Sequence, residues 1–360
     1  MRPEKRVRVL IVDDSVIVRK VLSDVLSAHP GTEVAGTAAS GDLALAKLDQ
    51  IKPDVITLDI EMPGRNGLET LTEIRKRYPK LPVIMFSTLT ERGGKATLDA
   101  LALGATDYAT KPSSGDGLLA ATDQIRRELV PKILGLRPAP PLVTVTRPCL
   151  PLAKRAPVHR RIDILAIGTS TGGPNALAEV VPRLPADFPV PVVLVQHMPP
   201  LFTKLLSERL NASSHLDVRE GISGQSLAAG HVWVAPGGWH MTIAKKEGAA
   251  VLELNQNAPE NSCRPAVDVL FRSVANVFGP NALAVVMTGM GSDGTLGATT
   301  IRNAGGEIFV QDEASSVVWG MPGAVFAAGL ADLVCPLNNL ANEIVKRVSQ
   351  RQSVSFQAAK

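Results

Sequence analysis

Two sets of residues in this chain have types and spacings suited to chemistry. One is the stretch ILAIGTSTGGPNAL, Ile164 to Leu177, where an apolar run breaks on glycines and hydroxyls and resumes with a helical pattern. A strand that feeds a Gly-rich turn into a helix leaves backbone N–H groups free to hold an anion. Gly168-Thr169-Ser170-Thr171-Gly172 fits equally the G-x-S-x-G elbow that exposes a nucleophilic serine. The other set is acidic: Asp13, Asp14 and Asp59, with Lys111 further on. Carboxylates gathered together repel one another, and a hard cation such as Mg²⁺, bound through oxygen, stabilises such a cluster. A lysine beside them suits a phosphoryl group.

Whether these residues meet depends on the elements that carry them. From Val7 to about Ile133, short β-branched runs alternate with segments of helical period. VRVLIVDD, EVAGTA, DVITLDI, PVIMFST and DYATKP are expected as strands, each followed by a helix: Val16 to Ala28, Asp42 to Gln50, Leu68 to Tyr78, Gly94 to Leu103 and Leu118 to Leu129. This alternation predicts a parallel sheet with helices on both faces, of flavodoxin-like size, with ligands at the carboxyl ends of the strands. Asp13 and Asp14 end the first strand, Asp59 the third, and Lys111 the fifth, so the four should converge. Singly, each has a plainer reading, as a helix cap, a loop carboxylate or a solvated charge. As a set they point to a metal-dependent phosphoryl site.

Between Leu134 and Arg161 both periods disappear into a stretch rich in proline and basic side chains, read as a semi-extended linker. From Ile162 strands return with IDILAIG, PVVLVQHM, HVWVAP, AVLELN, ALAVVMTGM and EIFVQD, between helical stretches such as Ala176 to Val181 and Val267 to Val277. The expected organisation is 1–133, a linker over 134–161, and a second doubly wound, mostly parallel α/β domain over 162–360. WVAPGGWHMTIAKKEGAAVLELN is expected to be an antiparallel excursion.

The bulk numbers agree. A chain of 360 residues is long for one core, and 45% hydrophobic with 20% charged residues describes a folded globular protein. The net charge of +4 is small, and its basic excess gathers between Arg126 and Arg161, which suits a connector better than a nucleic-acid groove. Three cysteines without C-x-x-C spacing argue against a disulfide framework and a structural zinc site, and a reducing cytoplasm is expected. No stretch approaches the roughly 18 apolar residues of a membrane span. No membrane insertion is expected.

A nucleophilic Ser170 needs a base and a group to orient that base. His197 ends PVVLVQHM, and Asp293 follows ALAVVMTGM; if those strands run parallel to the one carrying Ser170, all three side chains reach one rim. The alternatives are a helix N-cap for Ser170 or Thr171, a hydrogen-bonded strand-end histidine, and an Asp293 that caps a helix beginning near Gly294. A dinucleotide site is a further rival, but GTSTGG lacks the G-x-G-x-x-G spacing. A DNA-binding output would need a basic recognition helix after the linker, where another strand-rich unit begins.

The motifs also carry a resemblance. DD, LDIEMPGRNG, MFST and YATKP resemble the receiver domain of bacterial response regulators over Val7 to Leu129. That resemblance implies Asp59 as phosphoacceptor and Mg²⁺ held by Asp13, Asp14, Asp59 and the backbone carbonyl of Glu61. It also implies Ser87 and Lys111 on the phosphoryl oxygens, and Tyr108 as the switch aromatic. GTSTGGP, VQHM, APGGWHM, RPAVDVLF, TGMGSDG and VVWGMP resemble, in order, the catalytic domain of the chemotaxis protein-glutamate methylesterase (CheB) family. This second resemblance implies Ser170 as nucleophile, His197 as general base, Asp293 as its orienting carboxylate, and Thr171 and the backbone at Met290 beside the oxyanion. It implies a phosphorylation-activated serine esterase that demethylates chemoreceptor glutamyl esters and deamidates receptor glutamines. A chemotaxis histidine kinase would be the phosphodonor, and the hydrolysis itself would need no cofactor. His240 has no assigned role, and for Arg264 and Asp268 an internal ion pair is the expectation.

Overall fold

The computed structural model describes residues 6–112, 117–137, 150–151 and 160–349, and the chain divides into two compact units, Met1–Leu142 and Val143–Lys360.

In the first unit, strands β1 (Val7–Val12), β2 (Thr32–Ala38), β3 (Val55–Asp59), β4 (Val83–Ser87) and β5 (Asp107–Thr110) alternate with helices α1 (Val16–Ala28), α2 (Gly41–Ile51), α3 (Gly67–Arg77), α4 (Glu91–Ala102) and α5 (Leu118–Gly135). The sheet is parallel throughout, in the order β2-β1-β3-β4-β5. Every residue of β3 and β4 is buried, as continuous apolar strands are when helices cover both faces. Local signals start the helices: Ser15 caps α1, and Asn66 with Glu69 forms a capping box on α3.

Helix α5 runs past the expected end at Leu129, through Pro131, to Gly135. The reason is packing: Ile125, Leu129 and Ile133 keep one face buried, and Leu136 after them is buried too.

The second unit contains β6 (Leu150–Pro151), β7 (Ile164–Thr169), β8 (Val192–Gln196), β9 (Asp217–Glu220), β10 (His231–Val234), β11 (His240–Lys246), β12 (Ala249–Asn255), β13 (Ala282–Val286), β14 (Glu307–Gln311) and β15 (Leu333–Cys335). Its helices are α6 (Gly173–Val180), α7 (Pro200–Ser213), α8 (Val267–Phe278), α9 (Thr295–Asn303), α10 (Met321–Ala327) and α11 (Leu337–Ser349). The main sheet has the order β6-β15-β14-β13-β7-β8-β10-β9 and is parallel except where β6 meets β15.

Two differences from the sequence reading stand out. Leu150–Pro151, inside the stretch read as linker, adds an antiparallel edge strand; the rest of that stretch, over 138–149 and 152–159, lies outside the described residues. The expected antiparallel excursion is confined to the β11–β12 hairpin, because β10 stays in the main sheet, parallel to β8 and β9.

After the edge strand β6, the chain lays down β7 and builds outward through β8, then crosses back to lay β13 on the other side of β7. Such a reversal opens a crevice at the carboxyl ends of the central strands. The core beneath it joins Ala166, Val193, Val267, Phe271, Ala284 and Val310.

Candidate active site

Ser170 follows β7 directly, His197 follows β8, and Asp293 lies in the loop between β13 and α9, so all three ring the crevice. The hydroxyls beside β7 do not cap α6: its N-cap is Gly172, at φ +75°, with no side-chain hydrogen bond. A Cβ at Gly172 would stand 2.6 Å from that of Val317, so the tight turn requires glycine there. Ser170 is thereby relieved of a structural duty, and Ser170 Oγ makes no hydrogen bond among the described residues.

His197 and Asp293 meet, with Nε2 2.8 Å from Oδ2. Asp293 does cap a helix, but it is α8 rather than the one that begins after Gly294. Its Oδ2 accepts the Val267 N–H at 2.7 Å, and its Oδ1 accepts those of Asp268 at 3.0 Å and Gly294 at 2.9 Å. Burial opposes the charge on Asp293, yet His197 and the backbone donors of Asp268 and Val267 hold its pKa below the ordinary value. The N-terminus of α8 adds a favourable dipole. Burial also opposes charge on His197, but hydrogen bonds with Asp293 and Cys263 outweigh it and push the pKa up to about 9.

Thr171 and Met290 flank the serine. Thr171 is buried and its carbonyl accepts from Thr288 Oγ1 at 2.9 Å, while Gly289, just before Met290, packs where a Cβ would come 2.9 Å from Ser170 Cβ. The backbone N–H groups of Thr171 and Met290 donate to no partner among the described residues, as an oxyanion site requires.

Three functional neighbours escaped the sequence reading. Gln196, buried at the end of β8, donates through Nε2 to the carbonyls of Ser170 (2.9 Å) and His197 (3.2 Å) and accepts from Thr169 Oγ1 at 2.6 Å. It ties the turn carrying Ser170 to the turn carrying His197, and its signal was a long polar side chain ending an apolar strand. Asn261 Nδ2 bridges Asp268 Oδ2 (2.9 Å) and Asp293 Oδ1 (3.0 Å). Cys263 Sγ lies 3.5 Å from His197 Nδ1. Nothing local marks Asn261 or Cys263 beyond their place ahead of RPAVDVLF.

His240 is structural: buried on β11, it donates from Nε2 to the Ala258 carbonyl and accepts the Ala266 N–H at Nδ1. The expected ion pair of Arg264 and Asp268 does not form. Arg264 donates to the carbonyls of Gln256 and Asn257, and Asp268 accepts from the Gly297 N–H and from Asn261 Nδ2, so backbone acceptors take up the cation while a helix N–H and an amide take up the anion.

In the first unit the acidic set converges as expected. Carboxylate oxygens of Asp13, Asp14 and Asp59 lie within 4.8 Å of one another. Lys111 Nζ is 2.7 Å from Asp59 Oδ2 and 2.8 Å from Asp13 Oδ2. Burial pushes Asp59 up to about 6 against the pull of Lys111. Ser87 is buried, its Oγ donating to the Gly93 carbonyl at 3.1 Å. The Glu61 N–H donates to Asp59 Oδ1 at 3.2 Å, which keeps its backbone beside that carboxylate. Tyr108 is buried in β5, with Lys132 Nζ 4.7 Å over its ring.

Comparison with known proteins matches both units. A CheB methylesterase family model matches residues 165–344, and a response regulator receiver domain model matches residues 9–123. A protein-glutamate methylesterase/protein-glutamine glutaminase of Trichodesmium erythraeum is 49% identical over 349 residues, covering 95% of this chain and 99% of its own. The chain belongs to the CheB methylesterase family. A relative of the same name from a Nocardioides species is 48% identical, with 96% of each chain covered. The crystallised CheB methylesterase catalytic domain of Thermotoga maritima aligns with a TM-score of 0.51 at 39% identity, over 52% of this chain and 99% of that one. As a member of the CheB family, the chain is a hydrolase under receiver control, with both sheets of the mostly parallel α/β type.

Proposed function

We propose that this chain is a phosphorylation-activated serine esterase that hydrolyses methyl esters of chemoreceptor glutamyl side chains, releasing methanol, and deamidates receptor glutamines. The observation that carries the reading is the unencumbered Ser170 hydroxyl at the end of the central strand, beside the His197–Asp293 pair. Ser170 Oγ attacks the ester carbonyl, and His197 takes its proton while Asp293 steadies the imidazolium. The Thr171 and Met290 N–H groups receive the oxyanion. His197 returns the proton to departing methanol, or to ammonia when the substrate is an amide. Water, activated by the same imidazole, then releases the acyl group.

Asp59 is the proposed phosphoacceptor, with a chemotaxis histidine kinase as donor, and Lys111 and Ser87 as partners of the phosphoryl oxygens. Three carboxylates with oxygens within 4.8 Å of one another, more negative charge than Lys111 alone offsets, fit a hard divalent cation. Asp13, Asp14, Asp59 and the Glu61 carbonyl would hold Mg²⁺, which when bound neutralises charge on the incoming phosphoryl group. Tyr108 is the proposed readout of that state. The domain bounds of 1–133 and 162–360 around a linker belong to the same reading, with the first taken to the end of α5. No described helix is long and apolar enough to cross a membrane, and cytoplasmic action is part of the proposal.

The test is methanol release from methylated receptor membranes, with and without a small phosphodonor, alongside a fluorophosphonate probe. Labelling at Ser170 and stimulated release are expected. An unlabelled, inactive protein would leave a phosphorylated scaffold as the function.

A further inference from the structure

Serine catalysis needs a ring nitrogen of the base for the Ser170 proton. Asp293 takes Nε2 of His197, so Nδ1 is the nitrogen left, and it faces Cys263 Sγ at 3.5 Å while Ser170 Oγ is without a hydrogen bond among the described residues. Cys263 is held there by the chain around it. Glu260 and Cys263 exchange backbone hydrogen bonds at 3.1 and 2.9 Å, and the two residues between them, Asn261 (φ +52°) and Ser262 (φ +61°), are left-handed. Non-glycine residues adopt that conformation at a cost and keep it only when their surroundings enforce it. Here the enforcement comes from Asn261, tied to Asp268 and Asp293. The turn that presents the thiol is thus anchored to the carboxylate that orients the base.

We propose that Cys263 is a positioning residue of the esterase: its sulfur accepts the Nδ1 proton of the charged imidazole, holds His197 in a resting form, and must release that nitrogen before Ser170 can use it. This inference rests on the reading of Ser170 as nucleophile and His197 as base. The other charged or titratable groups around the ring are Asp293 itself, Asp268 linked to it through Asn261, the Glu260–Arg272 ion pair, and His240 behind Ala266. All of them remain when the thiol alone is removed.

The sign follows from the shift on His197. Its partners raise the pKa, and the charged imidazole cannot take a proton, so hydrolysis should increase as pH rises through about 9. Cys263→Ala removes one raising partner and should move that increase to lower pH. A shift of about one unit makes the variant about tenfold faster than wild type at neutral pH.

The experiment measures initial methanol release from receptor membranes carrying labelled methyl esters, between about pH 6 and about pH 10, and titrates the His197 imidazole by NMR in the same full-length proteins. The expected result is that both curves move down in Cys263→Ala, with Cys263→Ser, which keeps an acceptor, falling between Ala and wild type. Curves that overlay wild type, or a rate loss with an unmoved imidazole titration, would overturn the role. A Ser170→Ala protein that still releases methanol would instead overturn the underlying assignment of the nucleophile, a failure that the NMR titration keeps separate.

Discussion

His197 Nε2 lies 2.8 Å from Asp293 Oδ2, and that same oxygen accepts the Val267 N–H at the start of α8 at 2.7 Å. One carboxylate therefore holds the His197 ring and closes a core helix. The placement of His197 and the packing of α8 are coupled through it, so perturbing one perturbs the other.

Asp293→Asn tests that coupling. An amide nitrogen placed among the donors of Val267, Asp268, Gly294 and Asn261 leaves at least one group unpaired, at a cost of about 1–3 kcal/mol in stability. Denaturant unfolding should record this loss together with a fall in kcat. His197→Ala should reduce kcat more, since loss of the base exceeds loss of its support; the reverse ranking would unseat the roles.

Ser170→Ala should abolish methanol release and fluorophosphonate labelling. Phosphorylation of Asp59, in the other unit, should proceed as in wild type. Radiolabel transfer from a phosphodonor checks the second half, and retained ester hydrolysis would remove Ser170 from the mechanism.

Gln196→Ala should separate the two turns that this side chain joins. The Thr169 hydroxyl and the Ser170 and His197 carbonyls lose partners, at about 1–3 kcal/mol for each group left buried and unpaired. Misplacement near 1 Å can reduce rate about 100-fold, so kcat should fall further than KM changes. Gly173→Ala attacks the same joint, since a Cβ there would stand 1.9 Å from Gln196 Oε1. Similar kinetics in the two variants would support a shared cause.

Chelation of Mg²⁺, and separately Asp59→Asn, should eliminate stimulation by the phosphodonor while leaving basal methanol release in place. The acidic cluster lies among Asp13, Asp14 and Asp59 in the first unit, whereas Ser170 and the His197–Asp293 pair belong to the second. If chelation reduced basal hydrolysis as well, the cation would have a part in the second site.

Much of this was legible in the sequence because it depends on short-range order. Period and β-branched runs marked β1 to β5, β7, β8, β13 and β14, and a parallel sheet brings chemistry to the carboxyl ends of its strands. Asp13, Asp59, Lys111, Ser170 and His197 could therefore be placed by chain position alone. The edge strands β6 and β9, and the three-residue β15 beside β6, were not, since none of them carries the continuous apolar run that marked the central strands.

Partner choice was the part that only the tertiary structure decided. His197 and Asp293 are 96 residues apart, Cys263 and His197 are 66 apart, and Gln196 reaches back 26 residues to Ser170. Hydrogen bonds over such separations depend on which turns the sheet order brings together and on which buried donors need an acceptor. Arg264 and Asp268 show the limit of the sequence. Their types suggested an ion pair, but backbone carbonyls and N–H groups, which almost every residue carries whatever its side chain, took up both charges, with Asn261 as a further donor to Asp268. The sequence by itself determined which residues stand at the ends of strands. Only the folded chain decided that Asp293 serves α8 and His197 at once, and that a thiol faces the remaining ring nitrogen of His197.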